Sequence, residues 1–231
     1  AMLLSARTFD ELHERLPGID VVVPPRPAPR RDAAERYSMV RLLASLPLAL
    51  GDFPLQLTKG ERPDFALQLG DRTVGIEHTE AVPTNVAHAG ALRASLGRTT
   101  YMIWSASVDE PRKSRQQLLG EIKSDRMPPP MIGDSVERGW AEAMGRFVGE
   151  KVASAMKPGY AAHDEQWLVI YDNWPAPALQ RQLAIKILLE THLEAATFTV
   201  FQRVFILDET VLVELQSGGA LLHRVNHCRP A

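Results

Sequence analysis

Pro63-Asp64-Phe65-Ala66-Leu67-Gln68-Leu69-Gly70-Asp71-Arg72-Thr73-Val74-Gly75-Ile76-Glu77-His78-Thr79 is the stretch on which the reading of this chain turns. Phe65, Leu67 and Leu69 alternate with Asp64, Ala66 and Gln68, and Val74 and Ile76 alternate with Thr73, Gly75 and Glu77. A period of two marks strands with one buried face, and Gly70-Asp71 between them suits a two-residue hairpin loop. With residue 69 facing 72, counting back sets Asp64 directly against Glu77. Opposed side chains stand about 5 Å apart at Cβ, and like charges there repel unless a cation neutralises them. Ala66, Gly75 and Thr79 share that face and leave room above the sheet, while the apolar residues point the other way. Paired carboxylates beside open space suit Mg²⁺, a hard cation that takes a few carboxylates plus water and phosphate. The competing structural reading has Arg62, opposite Thr79, pairing diagonally with Glu77 at a solvated strand end.

Upstream, Met39, Leu42, Leu43 and Leu46 fall at helical spacing in the run Ala33 to Leu46, with Asp32 as the N-cap and Pro47 as the stop. Glu35 lies about 40° from Met39 around that helix, so a carboxylate heads the face that packs on the core. Pro24-Pro25-Arg26-Pro27-Ala28-Pro29-Arg30-Arg31 is stiff and basic and follows a short amphipathic stretch from Phe9 to Leu16. The predicted organisation is an N-terminal arm with this proline-rich basic linker over 1–31 and one α/β domain over 32–231. Downstream, Pro111 to Lys123 reads as a helix broken by Met127-Pro128-Pro129-Pro130, and a longer helix runs from Ser135 to Lys157, where Pro158-Gly159 stops it. A buried strand from Trp167 to Tyr171, a helix from Ala178 to Glu194, and strands from Phe198 to Leu207 and Val211 to Leu215 complete the chain. Elements in this order bury their apolar faces as a mixed central sheet flanked by helices.

The 231 residues are 45% hydrophobic and 23% charged with a formal net charge of -2, which excludes disordered and fibrous classes. No uncharged run approaches the roughly 18 residues of a membrane span. Arg7, Asp10 and Glu11 interrupt the apolar start, which argues against a secretory signal. A lone cysteine, Cys228, allows no intrachain disulfide, so a soluble protein of the reducing cytoplasm is expected. The near-neutral charge confines any nucleic-acid contact to local concentrations of Lys and Arg. Glycine-rich phosphate loops, nucleophile elbows, HExxH pairs and paired CxxC motifs are missing, which removes most triphosphatase, esterase, zincin and zinc-ribbon readings. His223 and His227, beside Cys228, would hold a metal only if helical. His78 alternates away from Glu77 and offers a metal its backbone carbonyl at most. Arg112, Lys113, Arg115, Lys123 and Arg126 are interleaved with acids, and Trp167 and Trp174 read as packing residues.

Pro63-Asp64, followed after a short hairpin by Glu77-His78-Thr79, resembles the PD-(D/E)XK nuclease superfamily, which includes restriction endonucleases. The order is similar as well: a leading helix with a glutamate (Glu35), a meander carrying the acidic pair, then a helix and a strand, over about Asp32 to Asp172. The resemblance implies a restriction-endonuclease-like fold, Mg²⁺ or Mn²⁺ held by Asp64 and Glu77 with the His78 carbonyl, and phosphodiester hydrolysis with DNA as the substrate ahead of RNA. It departs at Thr79, which stands where the motif has its lysine. On the helix from Ser135, Trp140, Met144, Phe147 and Ala155 form the apolar stripe, and Lys151 lies within about 20° of Trp140, in the middle of that stripe. Lys151 is therefore the candidate replacement, with Asp64, Glu77 and Glu35 as the other catalytic candidates. The rival reading is an inactive protein of the same fold that binds nucleic acid or a protein partner; a homodimer is compatible with either.

Overall fold

The computed structural model describes residues 1–97, 107–124, 131–159 and 161–227. An eight-stranded mixed sheet forms its centre, with the strands side by side in chain order. They are β1 (Met2–Ala6), β2 (Leu55–Lys59), β3 (Phe65–Leu69), β4 (Arg72–Ala81), β5 (Glu165–Asp172), β6 (Arg203–Leu207), β7 (Val211–Gln216) and β8 (Gly219–Arg224). β4, β5 and β6 are parallel, and all other neighbours are antiparallel. Antiparallel neighbours can close with short turns, as all but β1 and β2 do here, whereas parallel neighbours need long crossovers. Helices α1 (Phe9–Ile19) and α2 (Arg31–Ser45) lie between β1 and β2, and α3 (Thr84–Ser95), α4 (Arg115–Ser124) and α5 (Ser135–Ala155) between β4 and β5. The second crossover holds α6 (Arg181–Ile187), continued by a π-helical segment over Leu188–His192, and the short α7 (Thr197–Val200).

The sheet separates two apolar layers, and strand alternation decides which residues enter each. Phe65, Leu67, Val74, Ile76, Trp167 and Val169 face one layer with Leu12 and Leu16 of α1 and Met39, Leu42 and Leu43 of α2. Leu168, Ile170, Val204 and Ile206 face the other with Trp140, Met144 and Val148 of α5. The α/β class, the hairpin and α2 follow the sequence expectation. In the hairpin, Leu69 pairs with Arg72 and Phe65 with Ile76. Gly70 takes φ 56°, and a Cβ there would sit 2.3 Å from the Gly51 carbonyl oxygen, so only glycine fits.

Four expectations are corrected. Residues 1–19 are not a detached arm: β1 pairs with β2, and Leu12 and Leu16, four apart on α1, are fully buried against the same sheet. Asp32 does not cap α2; Arg30 is the cap residue, with no side-chain cap bond, and Asp32 pairs instead with Lys59 and with Arg36 at 3.0 Å. Phe198 to Val200 is helical, because the Phe201 N–H closes on the Thr197 carbonyl at 2.8 Å while both residues are buried, and the strand begins at Arg203. His223 lies on strand β8 and meets Glu214 at 2.7 Å, while His227 meets the Glu209 carbonyl at 3.0 Å, so these two histidines do not form a helical metal pair. Cys228, Arg126 and Met127 to Pro130 lie outside the described residues. Among the described residues no helix is long and apolar enough to cross a membrane.

Candidate active site

β3 and β4 part company at Phe65–Ile76, whereas β4 stays paired with β5 as far as Ala81–Asp172. From Glu77 onward, β4 therefore has a strand neighbour on one side only, and its other edge opens as a notch. Register would set Pro63 against His78, but the His78 N–H donates instead to Asp64 Oδ2 at 2.8 Å. A backbone donor that leaves a ladder must find another acceptor, and the Asp64 carboxylate supplies it. Its position just past the end of β3 thus follows from the departure of the strand.

Glu77 alternates onto the α5 face, where it neighbours Leu168 of β5. There Lys151 of α5 donates to Glu77 Oε2 at 2.8 Å and stands 3.9 Å from Asp64 Oδ2. Both carboxylates are nearly closed to solvent, Asp64 at 5% and Glu77 at 4% exposure. Lys151, not Arg62, is the partner of Glu77. The buried stripe of α5 had pointed to this lysine, and burial on it without an anion would be costly.

Glu35 joins the site through cations. Arg31 Nε donates to Glu35 Oε1 at 2.7 Å and its Nη2 to Asp64 Oδ1 at 3.1 Å, and Lys59 Nζ lies 2.8 Å from Glu35 Oε2. Neither Arg31 nor Lys59 was identified from the sequence. Arg31 carries an i,i+4 signal with Glu35, but Lys59 becomes visible only once β2 is in register opposite Phe65, next to Asp64.

The electrostatics separate the two acids that flank Arg31. Burial pushes the Asp64 carboxyl above its ordinary value, and the nearby charge of Glu77 pushes the same way against the His78 N–H and Lys151. Burial acts on Glu35 too, but hydrogen bonds from Lys59 and Arg31 outweigh it and hold that carboxyl below the ordinary range. His78 faces the opposite layer, where its ring meets Ser38 Oγ of α2 at 3.0 Å, and burial drops it to about 4. It is a neutral packing residue at ordinary pH, and its imidazole is not placed to hold a metal with Glu77.

Among the described residues, no three of His, Cys, Asp and Glu come together as a metal-binding group. The donors on offer are two buried carboxylates, the number that Mg²⁺ commonly takes from protein while keeping water and phosphate in its other positions. Burial is the main cause of the raised Asp64 carboxyl, and the charge of Glu77 adds to it, so the two carboxylates are close enough to feel one another. The donor set thus fits one hard divalent ion, with Arg31 the cation most easily moved, since its side chain is 82% exposed. The space expected above Gly75 is not open, because the Gln166 side chain lies over it. The chain matches no protein-family model, and no curated protein or solved structure is significantly similar to it.

Proposed function

We propose that the protein is a divalent-metal-dependent nuclease of restriction-endonuclease-like fold that hydrolyses phosphodiester bonds, with DNA preferred over RNA as the substrate. The observation that carries this reading is the meeting of Asp64, just before β3, with Glu77 of β4 and Lys151 of α5 in the notch beside β4. Asp64 and Glu77 are the residues to hold Mg²⁺ or Mn²⁺, which when bound supplies Lewis-acid polarisation of a phosphoryl oxygen and lowers the pKa of water. Lys151 brings a positive charge to the same two carboxylates, in the role that Thr79 cannot fill. An ammonium fixed beside the reacting phosphate favours the charge that develops there in the transition state. Glu35 gives Arg31 a second anchor, so that the guanidinium can yield Asp64 to a metal ion and stay tethered beside the site.

A second reading has its own observation. Lys151, Arg31 and Lys59 already pair with Glu77, Asp64 and Glu35, an arrangement that also serves a metal-free nucleic-acid-binding protein of the same fold. A cleavage assay on plasmid DNA and on RNA with Mg²⁺ and with Mn²⁺ decides, using Asp64→Asn as the control. Metal-dependent cleavage by the wild-type protein that is lost in the variant supports the nuclease. No metal binding by calorimetry, together with no cleavage, would transfer the function to binding.

A further inference from the structure

The proline-rich arm that precedes α2 does not enter the acidic site, yet it lies along the same open edge of β4. Arg26 Nη2 lies 2.9 Å from Glu80 Oε2, and Arg30 Nη2 lies 2.8 Å from Glu80 Oε1. Asn173, just past β5, donates to the same Glu80 Oε1 at 2.9 Å. The arm is thereby pinned to the sheet, and a channel of about 430 Å³ remains between it and α3. Arg26 and Arg30 line this channel and share a single carboxylate, Glu80. Ala87, Gly90 and Ala94 form the α3 wall, and a Cβ at Gly90 would meet nothing within 4 Å, so a bulky chain can come close to the helix.

An excess of arginine in a channel of a chain whose net charge is -2 is a local concentration, not a general property of the surface. Arginine presents a planar fork of donors that matches phosphate oxygens. Glu80 does not exhaust these donors, since Arg30 Nε is buried without a hydrogen-bond partner among the described residues. Position adds the direction. Arg30 adjoins Arg31, which reaches Asp64, and Glu80 follows Glu77 by three residues, about 10 Å along the open edge of β4, with its side chain alternating to the α2 face as that of His78 does. Measured along the axis of duplex DNA, that is close to the rise of three base pairs, at about 3.4 Å each.

We propose that this channel is a phosphate-binding track that holds the backbone of a DNA strand a few nucleotides from the bond cut at Asp64 and Glu77. The choice of DNA as ligand rests on the nuclease reading, but the track is tested without it. Fluorescence anisotropy of a labelled DNA oligonucleotide in EDTA, where no cleavage occurs, measures binding alone. Replacing both Arg26 and Arg30 by Ala should weaken binding about 10-fold or more at moderate salt, and should reduce the slope of log K against log salt by about two. Glu80→Gln should act in the opposite direction, raising affinity several-fold, because it removes the competing carboxylate while keeping an acceptor for the arm. Circular dichroism melts identify any variant that fails to fold, and the Glu80→Gln arm stands independently of the arginine variants. Wild-type affinity and slope in both variants overturn the track, even if the protein cuts DNA. Competition by polyglutamate as effective as that by DNA also overturns it, by assigning the channel to acidic peptides. Arginine-dependent binding in a protein that never cuts keeps the track and removes the nuclease.

Discussion

Asp64 carries two duties that a single substitution separates. Its Oδ2 satisfies the His78 N–H at the end of the β3 pairing, and its charge faces Glu77 inside a nearly closed site. In Asp64→Asn the amide carbonyl can still accept from His78, while the buried charge and its repulsion with Glu77 disappear. The melting temperature should therefore stay the same or rise slightly, with calorimetric Mg²⁺ binding and cleavage lost together; a variant that melts much earlier would show the carboxylate to be structural. Lys151 permits a sharper test. Lys151→Met keeps the stem that covers the α5 stripe and removes only the ammonium held by Glu77. Cleavage should fall by orders of magnitude while metal binding persists, and cleavage near the wild-type rate would dismiss Lys151 from the chemistry. This lysine was legible in the sequence because a charge in the middle of an apolar stripe needs an anion. Arg31 was not, since an exposed arginine beside a proline-rich run has many ordinary explanations.

Between elements, a close approach that helps fix the site lies where α5 meets the π-helical segment at Leu188–His192. A Cβ built on Gly145 would stand 2.5 Å from the His192 Cβ and 3.2 Å from its carbonyl oxygen. Neither atom is the flexible end of a side chain, so α5 would have to shift. Gly145→Ala should destabilise the protein by about 1–3 kcal/mol, as overpacking does, despite the better helix propensity of alanine. Urea unfolding would check this, and a gain in stability would mean that the two segments have slack. Since α5 also carries Lys151, the same variant should lose more activity than its stability alone explains. The hairpin, α2 and α5 were readable because large apolar residues recur at strand or helix spacing between clear turn and stop signals, Gly70-Asp71, Pro47 and Pro158-Gly159. β8 was not, because it buries little: Leu221 and Leu222 are 55% and 48% exposed, and their local pattern has no apolar side to detect. β1 turns Leu4 and Ala6 into the core, but five residues are too few to display a period. α3, rich in alanine, has only Val86 and Leu92 as large apolar residues and so gave too little contrast.

For the molecule as a whole, the clearest pH signature comes from Asp172 at the far end of β5. Burial raises its carboxyl to about 6, despite hydrogen bonds from Trp140 Nε1 at 2.7 Å and the Trp174 N–H at 3.0 Å. The folded protein thus holds a proton there that the unfolded chain, near the ordinary 3.8, has released. Stability from this group is fully present below about pH 4 and is lost as pH rises toward 6, by on the order of 3 kcal/mol. Asp172→Asn removes the charge at the cost of one of two accepted hydrogen bonds, or about 1 kcal/mol. The variant should gain on the wild type steadily between pH 4 and 6, then keep a constant lead; parallel profiles in denaturant titrations across that range would refute the assignment. The sheet has one more global consequence. Because its eight strands are neighbours in chain order, each one after β1 pairs with the strand made just before it. During synthesis, every strand thus meets a template already outside the ribosome, and no early strand has to wait with its pairing edge bare for a partner from the C-terminal end.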